Sequence, residues 1–381
     1  MRIASAILGA AMILLVLVDA FETIVLPRRS SRRLRPARIY YIFTWRRWAS
    51  IARKINRPKR RENFLGYYGP LSLLTLLAYY AAIIIFGYAL VYWSLASAEA
   101  PGAGLTRLGY DLYVSGATFF TLGVNDLTPR SPAARAFTII ESGLGFAFLA
   151  LLIGYVPVIY QAFSRREVTI SLLDARAGSP PSAGELLRRH ARDHGTEDLQ
   201  ALLRDWERWG AELMESHLSY AVLCYFRSQH DNQSWLAALC AVLDTCALVM
   251  VGIEGACKHQ AELTFAMTRH ALVDLSAIFI SKPISESYDR LPPDLLIRLR
   301  SEVKAAGFTL HDDEESNRKL REYRRLYEPY VLGLSEFLLF RVPDWIPPVA
   351  AVDNWQTSRW GRERSFWGNV ITEGSPHTRQ P

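Results

Sequence analysis

The chain has 381 residues, half of them hydrophobic, and a formal net charge of +7. The charge is unevenly held: Arg28–Gly66 carries 14 Lys/Arg against Glu62 alone, a net +13, which leaves the rest of the chain at −6. One basic block beside an apolar segment reads as the cytoplasmic flank of a membrane helix and argues against nucleic acid as a partner.

Ile3–Val18 is uncharged and apolar, and the apolar character resumes over Phe21–Leu26. That length can cross a hydrocarbon core of roughly 30 Å, so residues 1–27 read as an N-terminal transmembrane helix. Val18-Asp19-Ala20 behind Arg2 is also a tolerable cleavage pattern for a signal peptide. Cleavage would put the basic loop outside, so an uncleaved span is the better reading. Asp19 and Glu22 share a helix face near the end of this span. The expectation is that they sit at the interface and face the arginines from Arg28 onward; a structural ion pair with another span, or a gating contact, is the alternative. Residues 28–66 form a basic cytoplasmic loop. Within it, Tyr40–Ile55 interleaves Tyr40, Tyr41, Phe43, Trp45 and Trp48 with Arg46, Arg47 and Arg53, the pattern of an amphipathic helix in the inner headgroup region.

Phe64–Ala98 and Ser142–Ser164 contain no charged residue and supply two further spans. With the basic loop inside, the N-terminus and the 96–135 stretch face out, and the third span returns to the cytoplasmic side at Arg165-Arg166. Between these spans runs Ser115-Gly116-Ala117-Thr118-Phe119-Phe120-Thr121-Leu122-Gly123-Val124-Asn125-Asp126-Leu127-Thr128-Pro129. This run resembles the pore helix and selectivity filter of the potassium-channel family. The family pattern Thr-Val-Gly-Tyr-Gly-Asp reads here Thr121-Leu122-Gly123-Val124-Asn125-Asp126. An ion crossing a membrane exchanges its water shell for fixed oxygens, and backbone carbonyls supply them in single file. Carbonyls point to one axis only if the backbone visits left-handed conformations, which favour glycine. Gly123 stands at the first family glycine. Asn125 stands at the second, and asparagine is among the few other residues that visit positive φ. Val124 replaces the usual aromatic and removes a packing anchor.

The resemblance implies that Thr121, Leu122, Gly123, Val124 and Asn125 form the filter, with K⁺ held at Thr121, Leu122, Gly123 and Val124. It implies that Thr118 and Asp126 support the filter, and that Asp111–Phe120 is a re-entrant pore helix whose C-terminal dipole favours cations. One pore loop per chain implies several chains around the axis, four in this family. The segment Glu141-Ser142-Gly143-Leu144-Gly145 through Gly154-Tyr155 resembles the inner helix of two-span bacterial potassium channels. Gly145 lies 20 residues after Asn125, near the place where such helices carry a hinge glycine. Gly145, Gly154 and Pro157 are thus candidate gating hinges, with close packing of small residues as the competing reading.

Residues 166–282 read as a helical cytosolic domain without a GxGxxG or a phosphate-binding P-loop. Ser182-Ala-Gly-Glu185 is a capping box, and helical periodicity continues from Leu199 through Tyr225. Trp235–Ile253 is nearly all apolar but lacks the basic flanks of a span, and reads as a buried bundle helix rather than a fourth span. Cys224, Cys240, Cys246 and Cys257 have no CxxC spacing and read as reduced, buried hydrophobes. His190 and His194 lack the HExxH glutamate and read as solvated surface residues. Val249–Gly255 looks like a second filter but has neither the threonine nor the flanking spans. Pro283, Pro292 and Pro293 mark a linker into further cytosolic helices over 283–343, the last a long helix from Asp312 to Phe340 stopped by Pro343. Residues 344–381 form an irregular Trp/Pro-rich tail, packed on the bundle or partly disordered.

The whole reads as an all-α membrane protein. It has a potassium-channel-like pore module over 67–165 (outer helix, re-entrant pore helix and filter, inner helix), an extra N-terminal span and an α-helical cytosolic domain. The expected function is a homotetrameric channel passing K⁺ down its gradient across the plasma membrane, with no enzymatic activity and no cofactor beyond the permeating K⁺. A weakly selective cation channel and a non-conducting membrane scaffold are the alternatives. The expected partners are the bilayer, three further copies of the chain and an unidentified regulator of the cytosolic domain.

Overall fold

A computed structural model describes residues 1–25, 35–95, 107–123, 131–191, 195–230, 232–253, 257–279, 283–284 and 289–347. The regular elements among these residues are all helices, apart from an isolated bridge between Ile253 and Leu310. The chain divides into two units, one of Met1–Ala162 with Ser219–Phe226, the other of Phe163–Leu218 with Arg227–Pro381.

The first unit begins with α1, Arg2–Ala20, and a π turn, Phe21–Val25. Helices α2, Pro36–Arg53, and α3, Pro58–Gly66, follow, each with a proline in its first turn, where the missing N–H costs nothing. Then come α4, Tyr68–Leu95, α5, Arg107–Phe119, and α6, which runs Pro132–Ala177 and crosses the unit boundary in sequence. The apolar helix of the N-terminal segment packs along α4 through paired glycines. A Cβ on Gly9 would overlap the Gly87 carbonyl, and one on Gly87 would meet Ile13 Cγ1 at 2.8 Å. Small residues let the two backbones close up where lipid supplies no hydrophobic drive between helices. Val16, Leu76, Tyr80, Ile84, Tyr88, Tyr92 and Phe119 make the core.

Asp19 meets one of the expected arginines and is also buried within the chain: Oδ2 accepts from the Ala37 N–H and the Tyr80 hydroxyl, each at 2.7 Å, and Oδ1 accepts from Arg35 Nε at 3.2 Å. The carboxylate satisfies a free N–H in the first turn of α2 and ties α1, α2 and α4 together, so burial is compensated by three donors, two from the start of α2 and one from α4. Glu22 stays near Arg35 at 3.6 Å. In α2, Trp45, Ala49 and Ala52 are buried while Ile39, Ile42, Phe43 and Ile51 are exposed, so apolar residues lie on both the covered and the uncovered face.

The segment 219–226 departs from the sequence reading. The helix expected to continue to Tyr225 ends at Ser219, and Ala221–Tyr225 is a 3₁₀ turn that belongs to the first unit. Tyr225 packs its ring against Trp45, Tyr68 and Tyr41 at 4.9, 5.1 and 5.7 Å. The Phe226 ring lies over Gly69, where a Cβ would come within 2.7 Å of it. Aromatic packing on α2 and α4 outweighs continuation of the helix.

The second unit holds the end of α6 with α7, Ala183–His190, α8, Gly195–Ser219 up to Leu218, α9, Trp235–Gly252, α10, Lys258–Phe279, α11, Pro293–Ala306, α12, Glu314–Arg325, and α13, Glu328–Leu338. Its centre is α9, which packs on α7, α10, α12 and α13. Helices on both sides of Pro283 thus pack on α9. Ser182 caps α7 through the Glu185 N–H at 3.3 Å, and Ser234 caps α9 through the Ala237 N–H at 3.0 Å. The long helix expected from Asp312 to Phe340 is broken at Leu326-Tyr327, since Pro329 cannot continue a helix but is well placed at the start of α13. His190 is half-buried, with Nδ1 2.8 Å from the Leu186 carbonyl, rather than solvated; His194 lies outside the described residues. Cys224, Cys240 and Cys246 are buried free thiols. The first residues of the tail pack inward: Trp345 is buried and its carbonyl accepts from the Gly184 N–H at 2.9 Å.

Candidate pore

The candidate pore is built on α5. This helix is 13 residues long, too short to span a bilayer, and starts at Arg107 rather than at the expected Asp111, whose buried carboxylate lies inside the helix. Its C-terminus is a Schellman turn. The Leu122 N–H bonds the Ala117 carbonyl at 2.9 Å and the Thr121 N–H bonds the Thr118 carbonyl at 3.0 Å. The turn requires a left-handed residue, and Thr121 takes it with φ 53°. Gly123 is left-handed again, at φ 65°, while Leu122 between them is not. A threonine in this conformation carries a Cβ penalty of about 1–2 kcal/mol, so the surrounding structure imposes it. Thr121, Leu122 and Gly123 are exposed in the single chain, and Thr118 is half-buried one turn earlier. Val124, Asn125 and Asp126 lie outside the described residues.

The inner helix receives α5 at Gly145. A Cβ there would overlap the Phe119 carbonyl, so the absence of a side chain sets the approach of the two helices. Gly154 is different: no atom lies within 4 Å of an added Cβ. Pro157 sits inside α6. The Phe119 and Phe148 rings meet at 5.7 Å. Ile139, Phe146, Ile153 and Tyr160, spaced by seven residues along one stripe of α6, are all exposed.

A cluster that the sequence reading passed over lies between α4, α5 and α6. Glu141 is fully buried. Its Oε2 accepts from the Tyr92 hydroxyl at 2.6 Å and its Oε1 is hydrogen-bonded to Ser115, whose hydroxyl also stands 2.8 Å from the Ile85 carbonyl. In the sequence Glu141 reads only as the charged border of the third span; the signal that could have found it is a carboxylate one helical turn before Gly145.

Residues 79–161 match a family model described as "Ion channel". The pore module is an ion-channel domain of the potassium-channel family. The match takes in most of α4, all of α5, the loop that holds the filter motif, and α6 as far as Gln161. No curated protein and no solved structure matches the chain. The chain is thus a membrane protein with a channel domain, an all-α fold and apolar helices long enough to cross a bilayer.

Proposed function

We propose that four copies of the chain surround a pore that passes K⁺ down its electrochemical gradient. The observation that carries this reading is the end of α5, where a Schellman turn hands the backbone into left-handed Thr121 and Gly123, inside the ion-channel match and between two apolar helices. Alternating left-handed residues turn successive carbonyls toward a common side, which a coordinating filter needs. Thr121, Leu122, Gly123 and Val124 are the K⁺-coordinating positions of this reading, with Asn125 completing the filter and Thr118 and Asp126 supporting it. The exposed stripe of α6 suits a helix that faces other copies and the ion path. Gly145, Gly154 and Pro157 are the hinge candidates, Gly145 being fixed also by close approach.

In this reading the basic block of residues 28–66 and the helical unit after α6 are cytoplasmic, the N-terminus and the filter mouth face out, and the membrane is the plasma membrane. The helical unit would receive a regulator. The second reading is a weakly selective cation channel, and Val124 and Asn125 favour it: they depart from the aromatic and glycine of the family pattern.

The test is flux into liposomes holding the purified protein, under parallel K⁺ and Na⁺ gradients, for wild type and Gly123→Asp. K⁺ flux that vanishes in the variant supports a selective pore. Equal Na⁺ flux discards the selectivity and keeps the pore. A folded wild type that carries neither ion sinks both readings.

A further inference from the structure

We propose that Glu141 is a positioning residue for the pore: its carboxyl locks the pore helix α5 to the outer helix α4 and the inner helix α6, and ion selection at Thr121–Gly123 depends on that lock. The inference deepens the channel reading above and rests on it.

Glu141 holds one residue from each of two neighbouring helices. Tyr92 of α4 donates to Oε2 at 2.6 Å, and Ser115 of α5 is hydrogen-bonded to Oε1. The spacing gives the contact its leverage. Glu141 and Gly145 are one turn apart on the face of α6 that meets α5, and their partners Ser115 and Phe119 are one turn apart on α5. Two contacts a turn apart on both helices fix separation and register together. The filter leaves α5 immediately after this second contact, at Thr121. A rotation or slide of α5 therefore moves the left-handed pair directly, while the apolar contacts alone would tolerate a slide. An ionisable side chain in this apolar setting is costly unless every polar atom finds a partner.

The donors identify the variant that keeps the lock. Ser115 has one hydroxyl proton and two acceptors in reach, Glu141 and the Ile85 carbonyl. An amide at position 141 accepts from Tyr92, donates to Ser115 and leaves the serine proton for Ile85. Glu141→Gln therefore preserves the tie, and Glu141→Ala removes it: Ser115 keeps only the Ile85 carbonyl of α4, Tyr92 keeps Thr138 at 3.4 Å, and the hydrogen bond from α5 to α6 is lost.

The experiment uses the full chain in liposomes and reads two quantities: hydrogen exchange of the α5 amides, with α9 amides as the control for folding, and the ratio of K⁺ to Na⁺ flux. Glu141→Ala is expected to speed α5 exchange roughly tenfold and to lower the flux ratio by a similar factor, with α9 unchanged, as follows from losing a buried hydrogen bond to a carboxyl between α5 and α6. Glu141→Gln is expected to restore both. Wild-type α5 exchange in Glu141→Ala overturns the proposal, as does faster exchange with an unchanged flux ratio, which would make the tie a packing contact only. A wild type without flux removes the channel reading first, and the role in selection with it. The flux of the wild type and the exchange of the variants therefore report the two failures separately.

Discussion

Helices α6 and α9 are both apolar and long enough to cross a membrane, yet they meet opposite surroundings. In the most apolar stretch of α6, 17 % of residues are buried inside the chain; in that of α9, 89 % are. Hydropathy records how much a segment avoids water and says nothing of what replaces the water. The difference lies in the polar residues. Asp244 in the middle of α9 is held by Arg290, at 2.7 Å from Oδ2 and 3.1 Å from Oδ1, and by the Tyr327 hydroxyl at 2.5 Å. Those partners come from a remote loop and from the Leu326-Tyr327 break, so α9 is a core helix whose charge was matched by tertiary folding. The apolar face of α6 has no such cover along Ile139, Phe146, Ile153 and Tyr160, which is what lipid or further subunits would supply.

The largest effect should come from breaking the cover of α9. Arg290→Met leaves the buried Asp244 carboxylate without its charge partner and is expected to destabilise the second unit by about 3–5 kcal/mol. The double variant Asp244→Leu/Arg290→Met removes both charges and should recover most of that loss. Hydrogen exchange of α9 amides reads both. A single variant costing under about 1 kcal/mol would mean that the pair is solvated, and α9 would lose its standing as a core helix.

The two glycines of α6 sharpen the comparison from the other side. Gly145→Ala drives a Cβ into the Phe119 carbonyl, a backbone atom that no rotamer change can move away. It is expected to cost about 1–3 kcal/mol and to disturb flux. Gly154→Ala meets open space within the chain and should gain about 0.5–1 kcal/mol in helix stability. Thermal unfolding of the two variants in detergent tests this; equal costs would mean that neighbouring copies crowd Gly154 as closely as α5 crowds Gly145.

His217 gives the second unit a pH signature. Burial holds its pKa well below the usual histidine range, and the adjacent Arg166, with Nη1 3.2 Å from Nε2, pushes the same way. The unfolded chain binds the proton near pH 6.5 and the folded chain does not, so this contribution is complete above that range and is lost as the pH falls. Stability of the unit should drop by up to about 1.4 kcal/mol per pH unit below about pH 6.5, and His217→Gln should flatten that slope. An unchanged slope in the variant would assign the acid sensitivity to another group.

Much of this was legible in the residues. Three uncharged runs gave α1, α4 and the apolar stretch of α6, Ser182 and Glu185 gave the start of α7, and the filter motif pointed to the family. What escaped depended on contacts between distant positions. The burial of Asp19 escaped because Tyr80 and Ala37 are remote in sequence. The helix through Tyr225 ended early because Trp45, Tyr41 and Tyr68 offered a better site for the ring. Glu141 looked like a border because Tyr92 and Ser115 lie 49 and 26 residues away. Pro329 was local and was simply outweighed by the apolar periodicity around it.

The smallest effect expected bears most directly on the filter. Thr121 is a β-branched residue at φ 53° in a helix-ending turn that ordinarily carries glycine. Thr121→Gly removes the Cβ penalty and should stabilise the end of α5 by about 1 kcal/mol, less the added freedom of the unfolded chain. The same change removes the hydroxyl that would coordinate an ion at the inner end of the filter. Slower exchange of the α5 amides together with a lower ratio of K⁺ to Na⁺ flux would mean that threonine is retained against the preference of the turn, for its oxygen. Slower exchange with an unchanged flux ratio would mean that the hydroxyl does not touch the ion. Faster exchange would mean that the Thr121 side chain makes a contact that outweighs its strain, and the Schellman turn would then be held by that contact rather than by the helix end.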